Sequence, residues 1–387
     1  MWRLAGPGLS FHSPSKSVKQ QIMHNSTIRH TLAVFSAVLF ITGNVSGQKY
    51  SNEFLNIGVG ARAQAMGNAV VASGRDVLAG AWNPAGLADP EWKDEVQAGA
   101  MHAEWFAGVG KFDYLGVSLP TTRPERRMGI SLIRFGIDEI PNTLSLYEED
   151  GTINFDNLRE FSAADYAFLF SYAVRLRSAG RGQWLLGGNA KVIHRRIGPF
   201  ANAWGFGLDI GVQHLRGNWR FAVLGRDLSS TFNAWSFRFS EADQLSLGLS
   251  GNEIPINSIE VTRPQLLLGI SRYLRTGKST GLLVEANAQV TTDGRRNTLV
   301  SGDPFSLDPG LGLELDFRKT VFIRAGVNQF QREIGFDARE RLSPRPGIGV
   351  GLVFGGFQVD YAFTDLAADN ATYSHIVSLM LRLQRKR

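Results

Sequence analysis

Apolar and small or polar residues alternate strictly in several parts of this chain. In residues 204–213, "WGFGLDIGVQ", every second position is a large apolar residue from Trp204 to Val212, and the positions between hold only Gly, Asp and Gln. Successive side chains of a β-strand point to opposite faces, so this period of two predicts a strand with one apolar face. The same alternation recurs in residues 186–192, 282–290, 321–328, 357–364 and 377–383.

With the weaker runs included, the pattern predicts fourteen strands. They are placed at 94–105, 109–120, 127–136, 161–175, 183–196, 203–214, 219–228, 264–274, 281–292, 309–317, 320–331, 346–354, 357–365 and 373–383. Short connections alternate with mostly long ones, and the long ones are 137–160, 229–263, 293–308 and 332–345. An even strand number with short turns at one end and longer loops at the other is typical of outer-membrane barrels.

The predicted fold class is therefore all-β: a fourteen-stranded antiparallel transmembrane β-barrel of the outer membrane with a short N-terminal plug. Apolar side chains such as Phe206 and Leu208 are expected to face lipid, and the Gly and polar residues between them to face the lumen. A soluble β-sandwich is the alternative, because alternation alone predicts only one buried and one exposed face.

The N-terminal region predicts export. The basic pair Arg29-His30 precedes the apolar run 31–41, and small residues follow up to Gly47. These are the parts of a cleaved secretory signal peptide, and the apolar run is too short for a transmembrane anchor. We therefore divide the chain into an upstream extension (1–22), a signal peptide (23–47), an N-terminal plug (48–92) and the barrel (93–387).

Composition excludes several classes of function. The net charge of +6 is not gathered into a basic patch with a nucleic-acid motif, so no nucleic-acid partner is predicted. The chain has no Cys, and its seven His form no metal-binding motif. The Gly clusters lack the strand–loop–helix context of a nucleotide loop, and their spacing of two predicts a lumen side with room for a plug.

Charged residues on the predicted lumen faces do not indicate catalysis. Carboxylates and cations point inward together, so neutralising pairs across the lumen are the simpler interpretation. The residues concerned are Asp209, Glu285, Asp360, Lys191, Arg324 and Arg382. The sequence predicts no catalytic, cofactor-binding or metal-binding residues, and no enzyme.

Six segments resemble one known family. They are residues 60–88, 102–120, 135–143, 226–237, 251–269 and 306–317. Together they are similar to the PorV branch of the PorV/PorQ family, which belongs to the FadL-like outer-membrane barrels, over about Phe54 to Leu383. The resemblance implies a component of the type IX secretion system. Its partners would be secreted cargo proteins with a C-terminal secretion signal and other outer-membrane components that attach the cargo to the surface.

The resemblance also suggests which residues carry such a role. Asn83, Pro84, Ala85 and Gly86 match the plug motif and are expected to close the lumen. Two predicted long loops supply candidates for partner binding, which are Asp138, Glu139, Ile140, Phe232, Asn233 and Trp235. The two aromatic residues are expected either to contact a partner or to fold back onto the barrel rim.

Two functions follow as expectations. The first is protein secretion through binding of cargo at the extracellular loops. The alternative is a FadL-like channel for hydrophobic small molecules, which requires an apolar region between plug and wall. Because the alternating lumen faces appear mostly Gly and polar, the sequence favours the first.

Overall fold

The computed structural model describes residues 50–92, 94–105, 108–146, 152–176, 180, 182–334, 339–365 and 373–384. The predicted upstream extension and signal peptide lie outside the described residues. Within these ranges, no helix is both long enough and apolar enough to cross a membrane.

In the described part of the chain, sixteen strand segments form one antiparallel sheet. They are β1 (Glu95–Trp105), β2 (Gly110–Pro120), β3 (Arg126–Asn142), β4 (Arg159–Leu176), β5 (Gln183–Ile197), β6 (Ala201–Arg216), β7 (Trp219–Arg226), β8 (Thr231–Phe237), β9 (Ser258–Thr262), β10 (Gln265–Arg275), β11 (Thr280–Thr291), β12 (Ser306–Phe317), β13 (Val321–Ile334), β14 (Glu340–Phe354), β15 (Phe357–Asp365) and β16 (Tyr373–Gln384).

The sheet closes into a barrel of fourteen strands. β7 and β8 both pair with β6, so together they form one interrupted barrel strand. β9 pairs with β8 and β10 pairs with β7, so β9 and β10 together form the next one. β1 pairs with β16 and completes the ring. The prediction of a closed fourteen-stranded antiparallel barrel is confirmed.

Two predicted loop boundaries are wrong. The loop predicted at 229–263 contains β8 and β9, because the strand continues past a local interruption in which Asp227 and Ser230 adopt positive φ angles of 56° and 55°. Pro264 then separates β9 from β10, since proline has no N–H to donate to the ladder. What remains between β8 and β9 is residues 238–257, with helix α3 (Glu241–Leu249) capped by Ser240. Likewise, β3 and β4 extend into the loop predicted at 137–160.

The predicted alternation of faces is observed in the strand that first indicated it. Phe206 and Leu208 of β6 point outward and are 62% and 50% exposed, whereas Asp209 is buried inside. Turns as short as residues 217–218 and 355–356 lie at one end of the barrel, and β1 begins and β16 ends at the same end. We call this the short-turn end and the opposite one the long-loop end.

Residues 50–92, hereafter the plug, fill the lumen. The plug contains two short α-helices, α1 (Ala61–Ala65) and α2 (Ala79–Trp82), and three short 3-10 helices, Glu53–Asn56, Pro84–Ala88 and Pro90–Trp92. Lumen glycines permit its close approach: a Cβ added to Gly326 would lie 2.1 Å from the Met66 carbonyl carbon. The interpretation of the glycine-rich lumen faces as space for a plug is confirmed at this wall.

Candidate functional site

The candidate site is the lumen, which the plug traverses from one end to the other. At the long-loop end, Glu53 bonds to Arg296, a residue of the connection between β11 and β12, at 2.9 Å. At the short-turn end, Asp89 accepts a hydrogen bond from Arg220 at 2.7 Å, and Arg382 lies 4.9 Å from the centre of the Trp92 ring. Any molecule that crosses the lumen must therefore pass between the plug and the wall.

One side of the lumen binds the plug through buried charges. We call it the charged sector, and it consists of Glu285, Glu314, Arg324 and Asp360 on β11 to β15. Glu314 accepts hydrogen bonds of 2.7 Å from plug residue Arg62 and from Arg324, and Arg324 also donates to Asp360 at 2.7 Å. The result is a chain of alternating charges from plug to wall.

The side chain of Glu285 binds the backbone of the plug. Its two carboxylate oxygens accept hydrogen bonds from the backbone N–H groups of Ala72 and Ser73, at 2.7 and 3.0 Å. The bonds replace the hydration that this fully buried carboxylate loses on folding. Glu285 was expected to be neutralised by a cation, and its direct partners are these amides instead.

The other predicted lumen pairs form in part. Lys191 lies 2.8 Å from Asp209 and also contacts Asp227, and Arg324 pairs with Asp360, as expected. Arg382 donates to the amide oxygen of Gln358 at 3.3 Å. Charge compensation inside the wall thus explains most of the inward charged residues.

The opposite side of the lumen is lined by large apolar side chains. We call it the apolar sector, and it consists of Met101, Trp105, Phe112, Tyr114, Ile133, Leu169, Ile193 and Ile376, which are all at most 5% exposed. They pack against plug residues Phe54, Val59, Ala61 and Ala65. The prediction of mostly Gly and polar lumen faces was made for other segments, and it does not extend to this side, whose lining is apolar.

The physical reason is that the apolar face changes sides along these strands. In β2, Phe112 and Tyr114 point into the lumen, whereas Leu115 and Val117 point outward and are exposed. Outward positions nearer the long-loop end are polar: Asp113 binds both His102 and Arg134. The apolar face is therefore outside near the short-turn end and inside near the long-loop end.

The predicted plug motif lies inside the lumen, against the part of the wall formed by β3 to β6. Asn83 is fully buried, accepts a hydrogen bond from Ala85 N–H, and so caps the 3-10 helix that contains Pro84 and Gly86. A Cβ added to Gly187 of β5 would lie 2.3 Å from the Ala85 nitrogen. The motif is placed where a lumen seal requires it, and its role in closing the lumen stays a prediction.

The predicted loop residues Asp138, Glu139 and Ile140 lie in β3 and not in a loop. Asp138 pairs with Lys111 at 2.9 Å, and Glu139 has a positive φ of 57° at an irregularity of the β3–β4 register. The strands β3 and β4 continue beyond the predicted boundary because Ile140 still pairs with Phe161. Their role in partner binding stays a prediction.

Phe232, Asn233 and Trp235 lie in β8, so their assignment to a loop is wrong. Phe232 points outward and is 50% exposed. Asn233 is buried and donates to plug residue Asn52 at 3.0 Å. Trp235 points to the lumen side and donates to Glu260 at 2.7 Å. Phe232 and Trp235 are three positions apart in one strand, so their side chains lie on opposite faces of the sheet and cannot form one contact surface.

A charged cluster fixes the plug at the long-loop end. Arg296 bonds to Glu53 at 2.9 Å and also to Asp293, and it stacks 4.8 Å from the centre of the Tyr50 ring. Burial alone would raise the pKa of Asp293, but the hydrogen bonds and positive charge of Arg296 outweigh it and lower that pKa below its usual value. Sequence reasoning missed this cluster, because nothing local to 293–296 points to residue 53.

Comparison with known proteins gives the fold and no family. No protein-family model and no curated protein matches the chain. A deltaS2S3 mutant of the TodX monoaromatic hydrocarbon channel shares the fold with a TM-score of 0.51 at 10% identity, over 85% of this chain and 99% of that one. The toluene transporter TbuX of Ralstonia pickettii has a TM-score of 0.48 at 13% identity, over 84% and 98%. A FadL homologue of Pseudomonas aeruginosa has a TM-score of 0.47 at 11% identity, over 84% and 98%.

These neighbours are named as transporters, channels or a FadL homologue. The likeness shows the fold of this chain, an antiparallel barrel of the kind found in the TodX channel. Outer-membrane barrels have short turns on the periplasmic side and longer loops outside, so we expect the long-loop end of this barrel to face the exterior.

Proposed function

We propose that this protein is a plugged outer-membrane channel for hydrophobic small molecules. The observation that carries the proposal is the apolar sector, which lines the exterior half of the lumen between plug and wall. A passage with such a lining lowers the free energy of an apolar solute relative to water, in proportion to the apolar area covered. The fold likeness to a monoaromatic hydrocarbon channel agrees with this proposal.

The way the plug is bound suggests where a passage opens. Contacts between the plug and the apolar sector are mainly apolar, and dispersion and hydrophobic contacts are not directional, so a hydrophobic solute replaces them without leaving a charge unpaired. Displacement on the charged sector would instead separate Arg62 from Glu314. We therefore place the route along β1 to β5.

A pair of matched substitutions tests the route. Ala167 of β4 faces the lumen and is fully buried, whereas Ala190 of the neighbouring strand β5 is exposed on the outer wall. Ala167→Trp is expected to narrow the apolar sector and to reduce uptake of a monoaromatic compound by cells that depend on this protein. Ala190→Trp adds the same volume on the lipid side and is expected to leave uptake unchanged. Equal uptake by both variants, at equal barrel amounts, would contradict the proposal.

Type IX secretion is the second candidate, and one different observation favours it. The exterior connection between β8 and β9 exposes a set of large apolar side chains, which are Leu245, Leu249, Ile254 and Ile256. Clustered exposed apolar residues are typical of protein-contact surfaces. On this proposal the connection binds cargo proteins with a C-terminal secretion signal, or other components of the apparatus.

The second candidate has its own test. Leu245→Ser with Leu249→Ser is expected to weaken co-purification of cargo and partner proteins without changing uptake of hydrophobic compounds. The control is Ser246→Ala on the same helix. Unchanged partner recovery in the double variant would exclude this connection as the docking surface.

A further inference from the structure

Three polar groups lie in one row across neighbouring strands at the exterior end of the apolar sector. Thr364 of β15 is the register partner of Ser374 of β16. Glu104 of β1 pairs with His375, so the next residue, Trp105, comes level with Ser374. All three side chains are on the lumen side, because they alternate with outward residues such as Glu104 and His375.

These groups are buried and lack hydrogen-bond partners in the described part of the chain. Trp105 and Thr364 are 5% exposed and Ser374 is fully buried. The Trp105 Nε1, the Thr364 Oγ1 and the Ser374 Oγ form no hydrogen bond there. A buried polar group without a partner costs free energy, and folded proteins leave few of them, so three in one row require an explanation.

A small polar cavity adjoins the row. It has a volume of about 10 Å³ and lies between plug residues Ile57, Gln64 and Asn68 and wall residues that include Thr364. The Asn68 Oδ1, which is also buried, forms no hydrogen bond within the described residues. On the other side of the row, Trp105 packs against Phe112, with ring centres 6.4 Å apart and planes nearly perpendicular. The row is therefore a polar edge on an otherwise apolar lining.

We propose that Trp105, Ser374 and Thr364 form a binding site for the oxygen of a hydrophobic ligand that carries a hydrogen-bond acceptor, such as an aryl ketone. An indole N–H only donates, and the two hydroxyl groups can donate, so every member of the row can donate a hydrogen bond to an acceptor oxygen. The apolar part of the ligand packs on the apolar sector while its oxygen bonds to the row. The proposal rests on the channel function and names its substrate class: oxygen-bearing aromatic compounds are preferred over pure hydrocarbons.

The test compares two compounds of nearly the same shape. Acetophenone and ethylbenzene share a ring and a two-carbon chain and differ by one carbonyl oxygen. Uptake of both is measured in cells that carry the wild-type protein, the Thr364→Val/Ser374→Ala double variant, the Trp105→Phe variant, or no channel. We expect the ratio of acetophenone to ethylbenzene uptake to fall about tenfold in the double variant, since each lost hydrogen bond lowers affinity by roughly that factor or less. Trp105→Phe keeps the ring and is expected to lower the ratio by a smaller factor.

The control is Ser171→Ala on β4. The Ser171 hydroxyl is also buried in the lumen, but it already donates to Asn189 at 2.7 Å, so its removal is expected to leave the ratio at the wild-type value. Assembly of each barrel is checked by heat-modifiable migration. Thr364→Val alone serves if the double variant does not assemble.

The outcomes separate the two proposals. If both compounds enter but the ratio is the same in the wild type and the variants, the acceptor site is wrong and the channel function stands. If neither compound enters faster than in cells without the protein, the channel function is wrong and the site falls with it. Thermal unfolding adds a second reading: Thr364→Val is expected to raise the melting temperature by about 2 °C, because it removes an unsatisfied buried hydroxyl. A lower melting temperature would show that the hydroxyl is already satisfied by water, which overturns the site.

Discussion

The two sides of the lumen hold the same plug by different physical means. On the charged sector, Arg62 of the plug bonds to Glu314, which Arg324 and Asp360 support from the wall. On the apolar sector, Phe54 and Val59 pack against rings and aliphatic chains of the wall. The first kind of contact is specific to one position of the plug, and the second is not.

The two kinds of contact indicate which side of the lumen can open. Separating a buried ion pair leaves uncompensated charges, whereas apolar surface uncovered by a small movement can be covered again by a hydrophobic solute. We infer that the charged sector anchors the plug and that the apolar sector opens.

The largest effect is expected in the charged sector. Arg324→Met leaves the buried carboxylate of Asp360 without its cation and that of Glu314 with Arg62 alone, so the free energy of unfolding should fall by about 3–5 kcal/mol. Urea unfolding of the purified barrel measures the change. The control is Arg332→Met, which breaks an exposed pair with Glu340 and should cost less than about 1 kcal/mol. A similar loss of unfolding free energy in both variants would contradict the role of the charged sector as the anchor of the plug.

A smaller loss of stability is expected in the apolar sector, with a gain in transport. Ile193→Ala deletes a fully buried side chain of the lining and should cost about 2–4 kcal/mol by leaving a cavity. The cavity widens the proposed route, so uptake of hydrophobic compounds should rise. Ile210→Ala on the outer wall is the matched control, since that side chain is 45% exposed. Loss of stability without any change in uptake would contradict a route on this side.

Weakening the anchor at Glu285 should loosen the plug locally. Glu285→Gln replaces one of the two oxygens that accept hydrogen bonds from the plug backbone with an NH2 group, which cannot accept, at a cost of about 1–2 kcal/mol. Because the chain has no Cys, a single Ser73→Cys substitution can report plug exposure by its rate of thiol labelling. Faster labelling is expected with Glu285→Gln, and an unchanged rate would mean that Glu285 does not hold the plug.

The smallest effect is a pH dependence at the exterior mouth. The pKa of Asp293 is lowered below its usual value, so the stability that it contributes is present above the ordinary pKa of about 4 and is lost as the pH falls through the lower folded-state pKa. Hydrogen exchange of residues 50–56, corrected for its intrinsic pH dependence, should therefore increase only below about pH 4. Arg296→Gln should abolish that step. A step near neutral pH would point to a different group.

The wall was predictable from the sequence, because successive side chains of a strand face opposite sides and each side has its own residue types. Trp204 to Val212 keep one phase throughout, so the outward-facing side of β6 was evident. Of the glycines between them, Gly211 lies against plug residue Asn83, whereas Gly205 and Gly207 lie against Asn233 and Thr231 of the wall. Contacts between the plug and the wall join residues that are distant in the sequence, 252 positions apart for Arg62 and Glu314, and no local pattern records them.

The apolar sector could have been recognised from a phase change. In β2, the apolar positions are even up to Tyr114 and odd from Leu115, which indicates that the apolar side moves from lumen to exterior within one strand. Strands such as β6 keep the same alternation throughout, so a pattern assumed to be the same in all strands misses the change in β2. The assignment of Phe232 and Trp235 to a loop failed for another reason: the positive φ angles at Asp227 and Ser230 interrupt the strand without ending it.

Photolabelling of the lumen distinguishes a hydrophobic route along the apolar sector from one along the charged sector. A hydrophobic diazirine probe is added to cells, activated by light, and its attachment sites are mapped by mass spectrometry of the purified barrel. Among lumen-facing residues, we predict labels on the apolar sector, at Met101, Phe112, Ile133 and Ile193, and their loss when excess acetophenone competes. Labels confined to the outer wall, or lumen labels concentrated beside Glu285 and Arg324, would contradict a hydrophobic route between the plug and β1 to β5.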